Sequence, residues 1–353
     1  MKGRPDIMRI PKRRVLAAAS LSAAIALVTA ACGSGTESAG ESLPPLTVAL
    51  SALDASQAEG AVAEAKGYFK EVGLSVKFVN SGSNVVAAVV SGQADIGAIG
   101  LPGPMLPAAQ GKSTTILAEK SNGAALAQVA GRPGVTDVQQ CKTVSTTGVG
   151  TGSYGLTKYF EKSFNTTWTI KTLSSGTDAV NLMATGQADC TVLPSSILAP
   201  ALSSGKGTLL VDGATRKGLP AGFPTNLPSS VVFGLTDNLG QKKAAVTAFL
   251  TAYVRAVETM NSSPDDAAKA IITVPGWNTQ SVGDVVTSLK AQQPARWPNR
   301  GVISEGDWQP LLSFIEASGV ALDGGATAPT WSFGKRVDMS YLDAALGKAA
   351  SHT

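Results

Sequence analysis

The chain has 353 residues, 44% of them hydrophobic, with 38 glycines and 19 prolines; this excludes a disordered chain and predicts two folded units with many loops. Its formal charge of +4 misleads, because residues 1–31 hold six bases (Lys2, Arg4, Arg9, Lys12, Arg13, Arg14) and one acid, Asp6. The rest carries 23 basic residues against 24 acidic ones, so no basic excess remains to hold nucleic acid.

Residues 1–31 predict an export signal, in which a basic segment precedes an apolar run over 15–30 that is too short for a comfortable membrane span. The run ends in Val28-Thr29-Ala30-Ala31-Cys32, similar to a bacterial lipoprotein cleavage site. That similarity implies cleavage before Cys32 and a lipid anchor on its thiol and amine. An ordinary cleavage site beside a chance cysteine is the alternative. Arg13-Arg14-Val15-Leu16 partly resembles a twin-arginine signal, although an ordinary secretion signal is the reading preferred. Residues 33–45 then form a polar tether.

A first strand is predicted over 46–50, followed by a polar loop over 51–57 and a helix over 58–70. A second strand, 75–80, leads into a phrase of fifteen residues, Ser81 to Asp95, that returns as Ser175 to Asp189 with seven identities and no gap. In each copy a Ser-Gly turn ends a strand, and Asn84 or Asp178 is placed to cap a short apolar helix. Gly92 or Gly186 suits the left-handed position after that helix. Asp95 or Asp189 then opens a buried strand, over 95–99 or 190–193. One strand–helix–strand unit occurring twice predicts two similar α/β lobes rather than a solenoid. Both aspartates open strands at their amino ends and are expected to be structural.

Strands over 114–119 and 125–130 complete the first pass, and the pattern restarts near Gly131-Arg132-Pro133-Gly134. The second lobe is predicted from a strand over 142–146, a helix over 154–164 and a strand over 167–173 before the second phrase. A loop-rich region with Pro200, Pro220, Pro224 and Pro228 precedes a return strand over 230–235. Helices are then expected over 242–260, from Ser263-Pro264-Asp265-Asp266, over 307–317 and over 340–348. Trp277, Trp297 and Trp308 are expected to cover the seams between them. The boundaries are therefore 46–131 with 232–353 for lobe 1 and 132–231 for lobe 2, with hinges near 130–134 and 229–233. Cys141 precedes the first strand of lobe 2 and Cys190 opens the third, neighbours in a doubly wound lobe, so a disulfide is expected; two free buried cysteines are the alternative. Ligands are too few for a metal site, and the only histidine is His352.

Gly67-Tyr68-Phe69-Lys70-Glu71-Val72-Gly73-Leu74, followed by Ser91-Gly92-Gln93-Ala94-Asp95-Ile96-Gly97, resembles the solute-binding proteins of ABC importers. The nearest branch is the aliphatic-sulfonate, nitrate and thiamine-precursor group. Residues 248–257 and 261–268 fit that branch's later helices. The resemblance spans about residues 46–346. It implies two doubly wound α/β lobes joined by two crossover segments, as in type II periplasmic binding proteins, with a helical C-terminal part and a ligand in the cleft.

In open α/β sheets, ligands sit beyond the carboxyl ends of the strands. In lobe 1 that rule selects Ser51, Asp54, Ser56, Gln57, Ser81, Gly82 and Leu101 as ligand-binding candidates. In lobe 2 it selects Thr147, Gly150, Thr151, Gly152, Ser153, Ser175, Gly176 and Ser195. The loops contain hydroxyls, glycines and one acid, Asp54, which either fixes a solute or caps its helix. Without Lys, Arg or aromatic residues in them, they favour a small neutral, zwitterionic or singly charged organic solute. Gly150-Thr151-Gly152-Ser153-Tyr154-Gly155 matches G-x-G-x-x-G, but no carboxylate follows at the next strand end, so a loop presenting helix amides is expected rather than a dinucleotide site. Ser153 lacks both the first glycine of G-x-S-x-G and a histidine base, so it is not a hydrolase nucleophile. The expectation is a monomeric, lipid-anchored, extracytoplasmic binding subunit that hands a small solute to an ABC permease and needs no cofactor. The alternatives are a pyrimidine-synthase-like enzyme of the same fold, which the lone His352 and the export signal disfavour, and a surface sensor or adhesion protein.

Overall fold

The computed structural model describes residues 43–347 except Gly150, Asn226, Ser318 and Gly319. The predicted signal, the Cys32 anchor, the tether up to residue 42 and His352 lie outside the described residues. No described helix is long and apolar enough to cross a membrane.

The first sheet grows from short apolar runs. Strands β1 (Leu46–Leu50), β2 (Val76–Asn80), β3 (Ile96–Gly100) and β4 (Thr114–Asn122) are joined by a later strand, β10 (Pro228–Leu235), in the order β2-β1-β3-β10-β4. β1 is parallel to β2 and β3, whereas β10 runs antiparallel to β3 and β4. Both faces of β1 are covered: Val48 and Ala49 point to opposite sides and both are buried. Helices α1 (Glu59–Ala65), α2 (Tyr68–Glu71) and α3 (Val85–Val90) pack around this sheet. The single helix expected over 58–70 is broken because Gly67 adopts φ +75°.

The second sheet has the same plan. Strands β5 (Ala127–Gly131), β6 (Thr143–Thr147), β7 (Thr169–Leu173), β8 (Cys190–Pro194) and β9 (Thr208–Asp212) lie in the order β7-β6-β8-β5-β9. Helix α4 (Gly123–Leu126) enters the lobe, and α5 (Gly152–Ser163), α6 (Gly176–Ala184) and α7 (Ser195–Ser203) flank it. In both sheets three parallel strands are followed by an antiparallel one that arrives from the other lobe, β10 in the first and β5 in the second.

This moves the expected boundaries. Residues 127–131 pair with β8 and β9, and residues 228–231 already pair in the first sheet. The chain therefore passes between sheets at Gly123–Leu126 and again over 213–227, not at 131/132 and 231/232. Asn122 ties the two passages together, its Oδ1 accepting from the amides of Ala124 (2.9 Å) and Leu227 (3.1 Å). Helix α7 and strand β9 also replace part of the region expected to be loop; Pro200 lies inside α7.

The repeated phrase has one structure twice. Gly92 and Gly186 take φ +77° and +75° after α3 and α6. Asp95 Oδ2 accepts from the Thr47 amide at 2.8 Å, and Asp189 Oδ2 accepts from the Thr143 amide at 2.9 Å. Each carboxylate thus fastens the start of its lobe's first strand, and each faces a cation, Lys242 at 2.6 Å or Arg132 at 3.4 Å. Burial alone would raise the Asp189 carboxyl, but the Thr143 and Lys142 amides and Arg132 together outweigh it and hold it below the usual range. The caps differ from expectation. Ser175 caps α6 by accepting from the Asp178 amide (3.1 Å), while Asn84 makes no side-chain cap.

The C-terminal part is helical: α8 (Thr236–Leu239), α9 (Lys243–Ser262), α10 (Pro264–Ile271), α11 (Val282–Gln292), α12 (Glu305–Ala317), α13 (Phe333–Arg336) and α14 (Ser340–Ala345). The stripe Val246, Phe249, Leu250, Tyr253 and Val257 of α9 is buried, and Phe249 lies 4.1 Å from Tyr253 and 5.9 Å from Phe69 between ring centroids. This part does not belong to lobe 1 alone. α11 packs on α7, and Phe314 of α12 meets Tyr159 of α5 at 4.8 Å. Trp277 stands edge-on to Phe78, Trp297 donates to Glu59 (3.1 Å), and Trp308 donates to the Trp331 carbonyl (2.6 Å).

Cys141 and Cys190 form a disulfide, with Cα atoms 5.6 Å apart, that closes a loop of 49 residues in lobe 2. Replacing both cysteines by alanine is expected to lower the unfolding free energy by roughly 2–4 kcal/mol. Urea denaturation with and without reductant checks this, since reductant should change only the parent protein.

Glu119 on β4 is buried with Oε1 unpartnered; burial, and then the negative charge of Asp307, push its carboxyl up to about 9. A folded-state value above the unfolded one means that the proton stabilises the fold. That contribution is complete below about pH 4.5 and is lost as pH rises through about 9. Glu119→Gln should therefore flatten the fall in melting temperature between pH 5 and 9. Parallel melting curves for the two proteins over that range would refute it.

Candidate functional site

The carboxyl ends of β1, β2 and β3 in lobe 1 face those of β6, β7 and β8 in lobe 2 across a cavity of about 180 Å³. From lobe 1 the expected residues Ser51, Asp54, Ser56, Gln57 and Gly82 line it. From lobe 2, Thr147, Thr151, Gly152, Ser153, Ser175 and Gly176 do so. Gly150 lies outside the described residues. Three expected residues are placed elsewhere. The Ser81 amide donates to Leu50 O (2.8 Å) in the turn ending β2; Leu101 is buried, its amide donating to Ser229 O (2.6 Å). Ser195 turns its hydroxyl to the Ala291 carbonyl (3.0 Å), leaving Ser196 on the cavity wall.

Several hydroxyl protons on the wall are spent within the protein. Asp54 is a cap: its Oδ1 accepts from the Ser56 amide (2.9 Å) and the Ser56 hydroxyl (2.6 Å). Thr151 caps α5 and donates its only hydroxyl proton to Gly148 O (2.8 Å). The Thr147 hydroxyl at 2.7 Å must therefore donate to Thr151, which leaves Thr147 Oγ1 as an acceptor on the wall. Ser175 donates to Asp178 (2.8 Å). Ser51 Oγ accepts from Gln57 Nε2 (3.2 Å), so its own O–H remains to serve the cavity.

The cavity also holds a cation that comes from a strand rather than a loop. β4 continues to Asn122, beyond its expected end at 119, and so carries Lys120 to the cavity. Lys120, 2% exposed, is 3.1 Å from Glu59 Oε2 and donates to Gln57 Oε1. Only the bond to Gln57 is a hydrogen bond; Glu59 Oε2 balances the charge without accepting one. Glu59 is held from behind by the Trp297 indole. Strand alternation gave no signal, because β4 is bulged against β10 and Ile116 and Ala118 pack into different cores. Gln292, also lining the cavity, was missed with its helix α11. Yet Ser281-x-x-Asp284 is the same start signal as Ser304-x-x-Asp307, and Ser281 Oγ does accept from the Asp284 amide (3.1 Å).

Helices α5, α6 and α7 all begin on the cavity wall, through Gly152, Gly176 and Ser196. Their first amides lack intrahelical acceptors, and their dipoles present positive ends. With Lys120 offset by Glu59, the cavity favours an electron-rich group of low net charge. No group of three or more His, Cys, Asp or Glu residues is placed to hold a metal among the described residues. The lobes touch at the rim: a Cβ added to Gly100 would lie 2.6 Å from the Gly152 nitrogen. Beyond the rim an apolar groove continues the cleft, where exposed Leu106 of lobe 1 and Val149 of lobe 2 face solvent.

Among solved structures the chain is similar to the periplasmic nitrate-binding protein NrtA of Synechocystis PCC 6803, at 13% identity and TM-score 0.69 over 86% of this chain and 89% of that one. It is similar to the alkanesulfonate-binding protein SsuA of Xanthomonas axonopodis pv. citri, solved with MOPS, at 15% identity and TM-score 0.66 over 82% and 98%. The ligand-binding component of an ABC-type import system of Staphylococcus aureus matches at 14% identity and TM-score 0.65 over 85% and 98%. These likenesses show a common fold. No curated protein sequence matches the chain. The NMT1/THI5 like family model matches residues 57–267, from the first cleft loop of lobe 1 through lobe 2 to α10, and the chain belongs to that family.

Proposed function

We propose that this protein is the extracytoplasmic solute-binding subunit of an ABC importer, held at the membrane by lipid on Cys32, delivering a small organic solute to its permease. The observation that carries this reading is the convergence of three helix N-termini and Lys120 on one cavity between two lobes. An electron-rich group seated there meets unsatisfied amides without displacing any internal bond. A singly charged anion or a zwitterion suits a site whose buried lysine is already matched by Glu59. The fold it shares with proteins named for nitrate and alkanesulfonate binding supports the same class of ligand.

Closure turns on the two passages between sheets, at Gly123–Leu126 and 213–227, in place of the hinges expected near 130–134 and 229–233. The Gly100–Gly152 approach fits the closed arrangement, in which Leu106 and Val149 remain exposed. The enzyme reading finds less support. Lys120 is occupied by Glu59 and Gln57, and the chain's one histidine is His352, far along the sequence from every residue that lines the cavity.

Thermal unfolding against sulfonates, nitrate, pyrimidines and amino acids tests the reading, and a saturating solute should raise the melting temperature by several degrees. Gly100→Val puts a branched side chain where the lobes meet, so it should weaken binding roughly tenfold or more while leaving circular dichroism unchanged. Absence of any stabilising solute, or full affinity in Gly100→Val, would count against binding by closure.

A further inference from the structure

We infer that Gln292 and Ser196 form a recognition pair for a hydrogen-bond donor on the solute, so that the protein selects a solute bearing a hydroxyl, amine or amide N–H beside its electron-rich group. It therefore discriminates against inorganic oxyanions and plain alkyl anions. This deepens the solute-binding reading and rests on it.

Both side chains line the cavity and are almost wholly buried, Gln292 at 5% exposure and Ser196 at 4%. Gln292 Oε1 and Ser196 Oγ have no partner in the protein, whereas the hydroxyls of Ser56, Thr151 and Ser175 on the same wall are spent on caps. Buried polar atoms are almost always satisfied, so two orphans on one cavity point to a group that arrives from outside.

Their position is enforced from both sides. Ser195 donates to the Ala291 carbonyl at 3.0 Å, fastening the first turn of α7 to the last turn of α11. The next residue of each helix is Ser196 or Gln292, and both line the cavity. From behind, Arg296 donates to the Leu289 carbonyl (2.6 Å) and to Asn261 (2.8 Å), holding the end of α11 in place. An amide oxygen can only accept, and the nearby cation, Lys120, can only donate. The cavity thus has donors at Lys120 and at the N-termini of α5 and α6, and the Gln292 acceptor beside the N-terminus of α7. A site built to hydrogen-bond a group rejects the analogue that lacks it more strongly than a smooth pocket rejects a change in size.

The test is calorimetric titration with three matched series: ethanesulfonate with 2-hydroxyethanesulfonate and 2-aminoethanesulfonate; propionate with lactate and β-alanine; pyrimidine with 4-aminopyrimidine. In at least one series the donor-bearing member is expected to bind roughly tenfold or more tightly than its parent. Gln292→Met should abolish that preference. Ser196→Ala, which deletes a single atom, should reduce it and gives the same readout if Gln292→Met does not fold. Equal binding within every series that binds, or a preference that survives both substitutions, overturns the recognition pair and leaves solute binding intact. Binding of no compound in any series overturns both.

Discussion

Each sheet is completed by a strand that comes from the other lobe, and the rest of the structure depends on this exchange. β10 lies between β3 and β4, and β5 lies between β8 and β9, so neither crossing strand can be withdrawn without opening a sheet along its whole length. No ladder pairs a strand of one sheet with a strand of the other; the two passages connect the lobes, and α11 and α12 pack on α7 and α5. The two passages run side by side, tied by Asn122. The strand carboxyl ends of both lobes consequently stay opposed across one cavity.

Behind that cavity, charge is arranged for position rather than for stability. Removing Lys120 and Glu59 from water costs more than an exposed pair would, and their attraction returns that cost only with good supporting contacts. Gln57 and Trp297 provide those contacts, one beside the lysine and one behind the carboxylate. Nearby, burial lowers the Arg296 guanidinium to about 10, while the Glu59 charge acts the other way. The chain thus keeps a fixed ammonium at the cleft although an apolar floor would pack more simply.

Local patterns reported the architecture well and the site less well. Apolar runs bounded by Gly, Pro and Asp located most of the strands, and the Ser81–Asp95 phrase with its echo revealed two lobes because turn, helix stop and strand start are all local signals. The Cys141–Cys190 neighbourhood followed from strand order. What was not legible depends on distant segments. β5 reads as the last strand of lobe 1 until its partners are known, and α11 hides among small polar residues between two tryptophans. Lys120 resembles the frayed end of an edge strand, yet it is buried against Gln57 and Glu59. Among the hydroxyl residues, composition could not say which are caps. That depends on which oxygen holds which proton.

The second sheet has a consequence for inheritance. β5 to β9 follow one another without interruption, and the disulfide lies wholly within them, whereas the first sheet needs segments from both ends of the described chain. Half of the cavity wall, including all three helix N-termini, is therefore encoded by one continuous stretch. A recombination event with breakpoints in the two passages would replace that half in a single step, cross-link included, provided the faces of α7 and α5 that meet α11 and α12 are kept. Diversification by segment exchange is open to lobe 2 and closed to lobe 1.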